Sequence, residues 1–149
     1  MPRSHRPTLA ICYWSPYLAL AVMDGNEVIA IERVKVTGRR MPSVLRTRAA
    51  RLSASYRVRR VIVEPRLARA AREIRPTRET LSVAEAKRIL IGRERPTHRE
   101  LYRHMIDRVP TLRRLVTIRK THRLTFTEPW RTVALLAAAL CVAADTSTH

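Results

Sequence analysis

Apolar residues in the first quarter of the chain fall in three runs separated by short polar breaks. The runs TLAICY (8–13), YLALAVM (17–23) and EVIAIERVKV (27–36) are rich in β-branched and aromatic residues and predict three successive strands. Ser15-Pro16 separates the first pair, and Asp24-Gly25-Asn26 has the turn chemistry of a tight hairpin, so the chain should open as an antiparallel meander. The period then changes. Val44, Leu45, Ala49 and Leu52 recur at helical spacing, which predicts a helix over 41–56 with Arg46, Arg48 and Arg51 on its other faces. The next run, RVRRVIVEP, predicts a fourth strand whose Val61-Ile62-Val63 is apolar on both sides, as in a central strand, and which ends at Glu64 and Pro65.

In RLARAAREIR, Leu67, Ala71 and Ile74 form an apolar stripe while Arg66, Arg69, Arg72, Arg75 and Arg78 recur every third residue. Read as a helix, this segment spreads a basic ribbon over an exposed side. Thr80-Leu81-Ser82-Val83 predicts a short fifth strand leading into the helix AEAKRILIG. Thr97 and Glu100 predict a capping box for a helix that buries Leu101, Tyr102, Met105, Ile106 and Val109 and stops near Pro110. The stretch 111–126 has no readable period. Thr127-Glu128-Pro129 marks another helix start, and the following VALLAAALCVAA, apolar all round, predicts a helix within the core. The order βββαβ(α)βαα, then a last buried helix, gives an α/β fold.

With 149 residues, the chain has the size of a single domain, here 1–149 with a basic N-terminal arm over 1–7 and a short tail over 145–149. Its 30 Lys+Arg against 12 Asp+Glu leave a formal charge of +18, more than solubility requires. Because 46% of the residues are hydrophobic and fall in periodic runs, this charge coats a folded scaffold. Nearly all the cations are Arg, whose planar fork grips phosphate bidentately. GC-rich coding accounts for Arg over Lys but not for the scarcity of acids. A nucleic-acid phosphate backbone, of DNA or structured RNA, is the expected partner.

Other chemistries lack their motifs. Cys12 and Cys141 have neither close spacing nor adjacent His, which argues against a zinc module or a disulfide scaffold and for reduced thiols. His5, His98, His104, His122 and His149 are scattered and read as surface residues. Three isolated glycines allow no Walker loop or dinucleotide fingerprint, and Ser15, Asp24 and His104 do not amount to a triad. MPRSHRPT has no apolar signal-peptide region and the run 133–144 is too short to span a bilayer, so no membrane partner and a cytoplasmic, nucleoid-associated or nucleoprotein-bound location are expected.

The element order is that of the ribonuclease H-like fold, a mixed five-stranded sheet flanked by helices, and its details resemble the RuvC family of Holliday junction resolvases. Ile11-Cys12-Tyr13-Trp14-Ser15 lies where that family has an Ile-Asp-Pro-Gly-Ser type sequence, and Glu64 matches its second catalytic acid. AEAKRILIG and THRELYRHMIDRV are similar to the helices before the active-site helix, and EPWRTVALLAAAL resembles the Asp-x-x-Asp-Ala-Leu-Ala segment. The resemblance implies four carboxylates around two Mg²⁺ ions that drive an in-line phosphodiester displacement. Of these, Glu64 and Glu128 remain, while Cys12 and Arg131 hold the other two positions. A neutral thiol is a poor ligand for a hard ion, and a guanidinium puts positive charge where the cation should sit. The set Cys12, Glu64, Glu128 and Arg131 therefore reads as a vestigial site without a cofactor. Arg131 is expected to pair with Glu64 and Glu128 in place of the metal. The plain alternative makes Glu128 a helix-start acid and Glu64 a strand-terminal one.

Three functions follow. The first is a catalytically inactive binding protein that grips nucleic acid by shape and backbone through Arg39, Arg40, Arg57, Arg59, Arg60, Arg66, Arg69, Arg72, Arg75 and Arg78. Trp14, with Tyr13 and Tyr17, would stack on unpaired bases unless core packing claims them. The second is a divergent endonuclease acting on Holliday junctions or other branched structures, with Mg²⁺ or Mn²⁺ on Glu64 and Glu128 and further acids from Asp24, Asp107 or Asp145. The third is a basic structural subunit of a nucleoprotein complex. The family resemblance implies a homodimer, although the helix after Glu64 is short.

Overall fold

The first three strands form where the alternation of apolar residues places them: β1 (Thr8–Trp14), β2 (Tyr17–Asp24) and β3 (Glu27–Lys35). The computed structural model describes residues 7–74, 78–115 and 129–147. Ser15-Pro16, joined by a cis peptide bond, makes the first turn between the paired Trp14 and Tyr17. Gly25 (φ +60°) and Asn26 make the second, where Gly25 meets the left-handed backbone demand at no steric cost. Helix α1 (Met41–Tyr56) coincides with the predicted span and carries the chain back along the sheet to β4 (Arg60–Val63). Strand β4 lies parallel to β1, and β5 (Arg78–Thr80) lies parallel to β4, giving the order β3-β2-β1-β4-β5.

The segment after Glu64 is not the helix that the arginine spacing suggests. Pro65–Leu67 is a 3-10 turn, and the following turns mix two kinds of backbone bond, Ala68 N to Pro65 O and Ile74 N to Ala71 O, but Ala71 N to Leu67 O. The connection from β4 to its parallel neighbour β5 covers residues 64–77, and in its described part these tight turns still drive Leu67, Ala71 and Ile74 into the core. The apolar stripe is real, although its periodicity does not come from an α-helix. Strand β5 also starts earlier than predicted. Ser82 caps α2 (Val83–Ile91) through a capping box with Glu85, so Ser82 and Val83 belong to the helix start.

Helix α3 (His98–Arg108) begins where Thr97 accepts a hydrogen bond from the Glu100 backbone N–H at 3.1 Å. The reciprocal half of the expected capping box is not made, because the Glu100 carboxylate turns to Arg93 at 2.8 Å. Its predicted apolar face is buried, as is the neighbouring Val109. A short α4 (Leu112–Leu115) follows, and α5 (Pro129–Ser147) is the last element, running through Asp145. No helix of the described residues is long and apolar enough to cross a membrane.

Side-chain size on the strands sets the layers. Leu9 and Ile11 of β1, Leu18, Leu20 and Val22 of β2, and Val61 and Val63 of β4 face α1. The alternate positions Ala10, Cys12, Ala19 and Ala21 face α5 and are small. Cys12 pairs with Ala19 and Ala10 with Ala21, so these four make a low floor. On it lies an alanine-rich α5 in which every residue of 133–144 is buried. Burial of its larger side chains, such as Val133, Leu135 and Leu140, contributes about 1.5–3 kcal/mol each.

Candidate nucleic-acid interface

Parallel pairing of β1 and β4 sets Ile11 beside Val63, so the residues that follow, Cys12 and Glu64, come together at the carboxyl ends of the strands. In α/β sheets this is where ligand crevices form. A cleft of about 320 Å³ opens there, lined by Cys12, Tyr13, Trp14, Glu64, Arg66 and His98 together with α5 through Val133 and Leu136. The fold thus brings two members of the sequence-predicted set to one place. Glu128 lies outside the described residues, as does the side chain of Arg131, and with them the predicted ion pairs to Arg131.

Glu64 is buried, and its Oε2 accepts the Tyr13 backbone N–H at 3.0 Å and Nη2 of Arg66 at 3.3 Å. The same Arg66 nitrogen donates to the Tyr13 carbonyl. Arg66 therefore clasps the end of β1 and the acid of β4 while its side chain stays 60% exposed, against 11% for Glu64. Cys12 is fully buried, and burial, reinforced by the Glu64 carboxylate, holds its thiol well above the usual range. Cys141 lies 3.5 Å from the carbonyls of Thr8 and Ala21, and burial pushes its thiol up to about 12. Both cysteines are free, protonated core residues at neutral pH.

The two described members of this set are poor ligands for a hard divalent cation. Its carboxylate is already bonded to a guanidinium, and its thiol is neutral and buried. Among the described residues no group of three or more His, Cys, Asp or Glu could hold a metal ion. The acids considered as substitutes are remote. Asp24 ends β2 at the opposite end of the sheet, and Asp145 acts on Arg60, at the start of β4. Asp107 is exposed on α3, roughly 13 Å along the helix from His98.

Trp14 stands at the cleft mouth, 39% exposed, with its ring tilted 54° against His98 at 6.2 Å between centroids. His98 is thus a cleft residue and not an ordinary surface histidine; burial, with help from Lys87, lowers its pKa. His104 is half-buried, and burial lowers its pKa too. A histidine directly after a helix cap carries no sequence signal for such a role.

The arginines divide between the two ends of the sheet. Arg39 and Arg40 follow β3 in a 3-10 turn (Gly38–Arg40) and, with Arg66, belong to the cleft end. Arg57 and Arg59 are exposed at the opposite end, where α1 stops and β4 begins. Arg60 is held there as a strut: Nε and Nη2 bind Glu79 at 2.7 and 2.8 Å, and Nη1 reaches the Ala144 carbonyl at 3.3 Å. It is therefore engaged within the chain. Arg69 and Arg72 are exposed along the connection, and Arg78 donates to the Arg72 carbonyl at 2.7 Å. Arg75 lies outside the described residues.

No protein-family model matches the chain, and no curated protein matches it significantly. Solved structures do. A Thermus thermophilus RuvC structure matches with a TM-score of 0.62 and 15% identity over 95% of this chain and 94% of that one. T. thermophilus RuvC in complex with Holliday junction substrate matches with a TM-score of 0.60 and 14% identity over 97% and 95%. At such identities the likeness is one of architecture, and the chain has the RuvC-like, ribonuclease H-like fold.

Proposed function

We propose that this protein binds nucleic acid through the phosphate backbone and does not cut it, using a RuvC-like scaffold whose catalytic acid now anchors an arginine. The observation that carries this reading is the bond between Glu64 and Arg66 beside the buried thiol of Cys12. A fixed guanidinium at the cleft, 60% exposed, offers its outward N–H donors to a phosphate, and Arg39 and Arg40 supply positive charge along the same end of the sheet. Trp14 at the cleft mouth offers an aromatic face to an unpaired base. DNA, branched DNA above all, is the favoured ligand, since one structure of the same fold holds a Holliday junction. Structured RNA fits the same charge.

A second reading is a divalent-metal-dependent endonuclease acting on Holliday junctions or other branched DNA. It is favoured by a single feature, the retention of an acid, Glu64, at the end of β4 in a fold shared with RuvC. Incubating wild type and Glu64→Gln with branched and linear DNA in Mn²⁺ separates the two. Binding by both proteins without cleavage is expected. Cleavage by wild type that disappears in Glu64→Gln would establish the nuclease.

A further inference from the structure

A second basic concavity lies at the cleft end of the sheet, on the α1 side. It has a volume of about 500 Å³, within the range of ligand pockets, and is lined by Lys35, Arg40, Arg48 and Arg51 with the hydroxyls of Thr37 and Ser43. Glu32 accepts from Nη1 of Arg48 at 2.8 Å and from Nη2 of Arg51 at 2.5 Å. One carboxylate thus fixes two guanidinium groups but balances only one of four cations. Lys35 and Arg40 are exposed and have no carboxylate partner among the described residues. No acid stands in the first turn of α1 or in the 3-10 turn before it to offset the positive end of that helix. Preset forks, spare ammonium and guanidinium groups and nearby hydroxyls form a recognition set for a phosphate.

The pocket is tied to the cleft through one residue. Tyr13 gives its backbone N–H to Glu64 and its phenolic O–H to the carbonyl of Val36, which lines the pocket, at 2.9 Å. Strand β3 is two places from β1 in the sheet, and the pocket lies on the α1 side while the cleft opens on the α5 side, so the two sites flank one end of the sheet from its two faces.

We propose that this pocket is a second phosphate seat, which holds the backbone of the nucleic acid engaged by the cleft. The proposal rests on the nucleic-acid reading above and adds a defined footprint to it. A tight end-on grip of this kind sets the path of the strand over the sheet end, from Arg66 across Tyr13 to Lys35 and Arg40.

The test compares Lys35→Ala/Arg40→Ala, which leaves the Glu32 network intact, with Arg88→Ala/Arg103→Ala, an equal charge change at exposed positions of α2 and α3. Affinity for a labelled branched DNA is measured against salt by fluorescence anisotropy. The pocket variant should lose tenfold or more in affinity, and its log–log salt slope should fall by about 2. The control should change less than threefold. Equal losses in both variants, or none in the pocket variant, would overturn the proposal in favour of diffuse charge. Circular dichroism melts of both variants exclude misfolding as the source of a loss. If wild type binds neither DNA nor RNA, the nucleic-acid reading fails, and calorimetry with inorganic pyrophosphate then decides the pocket on its own. Saturable binding lost in Lys35→Ala/Arg40→Ala retains the phosphate seat, and no binding removes it.

Discussion

The backbone N–H of Tyr13 donates to Oε2 of Glu64 at 3.0 Å, joining the end of β1 to the end of its parallel neighbour β4. A buried acid that satisfies a buried donor has a structural task whether or not it ever meets a metal. Glu64→Ala should therefore destabilise the fold by about 1–3 kcal/mol, the cost of leaving that N–H without an acceptor. Glu64→Gln keeps an oxygen for Tyr13 and should lose only about 1 kcal/mol. Urea denaturation of the two variants checks the order, and equal losses would show that Tyr13 does not depend on this oxygen.

The ion pair between Arg60 and Glu79 links β4 to β5 and lies partly in solvent, at 26% and 49% exposure. Solvent screening limits its worth, so a double-mutant cycle on Arg60→Ala and Glu79→Ala should give a coupling of about 0.5–1 kcal/mol. Nucleic-acid affinity should change little in Arg60→Ala, because that guanidinium already has its partners.

The floor beneath α5 is close-packed. Leu140→Ala, at a fully buried position, should cost about 2–5 kcal/mol through the cavity it leaves. Ala19→Leu, which pushes into α5 from below, should cost about 1–3 kcal/mol. Thermal melts read both, and a neutral Ala19→Leu would mean that the floor has spare room.

Stability should be greatest between about pH 6.5 and 9. His98 and His104 have folded pKa values below the ordinary 6.5, so the unfolded chain binds more protons beneath that pH and stability falls on acidification. Glu79, held below 4.5 by Arg60, contributes stability that disappears as pH falls through its folded value. On the alkaline side the thiols work in reverse. Unfolded cysteines ionise from about pH 9, while folded Cys141 resists ionisation up to about 12, so stability falls as pH rises. Cys141→Ala should flatten the alkaline limb of a melting-temperature profile and leave the acid limb unchanged.

Backbone binding must release counterions. If six phosphates are neutralised, affinity should drop by about a thousandfold between 50 and 200 mM salt. A nearly flat response over that range would remove the phosphate backbone as the main ligand.

Much of the scaffold was legible because its signals are local. Alternation fixes β1 to β3, the spacing of Leu45, Ala49 and Leu52 fixes α1, and an all-apolar run identifies α5 as core. The arginines every third residue after Glu64 suggested a helix because periodicity reports which side chains face inward, not which turn puts them there. Ser82 and Glu85 carried a capping signal that the β-like run Thr80-Leu81-Ser82-Val83 masked. In the site, Glu64 was legible from its place at the end of a buried strand, and Cys12 only from the family resemblance. The clasp by Arg66 and the basic pocket around Arg40 were not, since they join residues through tertiary placement that no short motif records. His98 entered the cleft in the same way.

The low floor of Ala10, Cys12, Ala19 and Ala21 also limits what mutation can restore. Replacing Cys12 with Asp would place a second carboxylate beside Glu64 in a buried site. Either carboxylate would have to take up a proton, or a cation stronger than the exposed Arg66 would have to enter. Cys12→Asp alone should therefore cost stability at this end of the sheet, and Arg66 would have to be rearranged to receive the second acid.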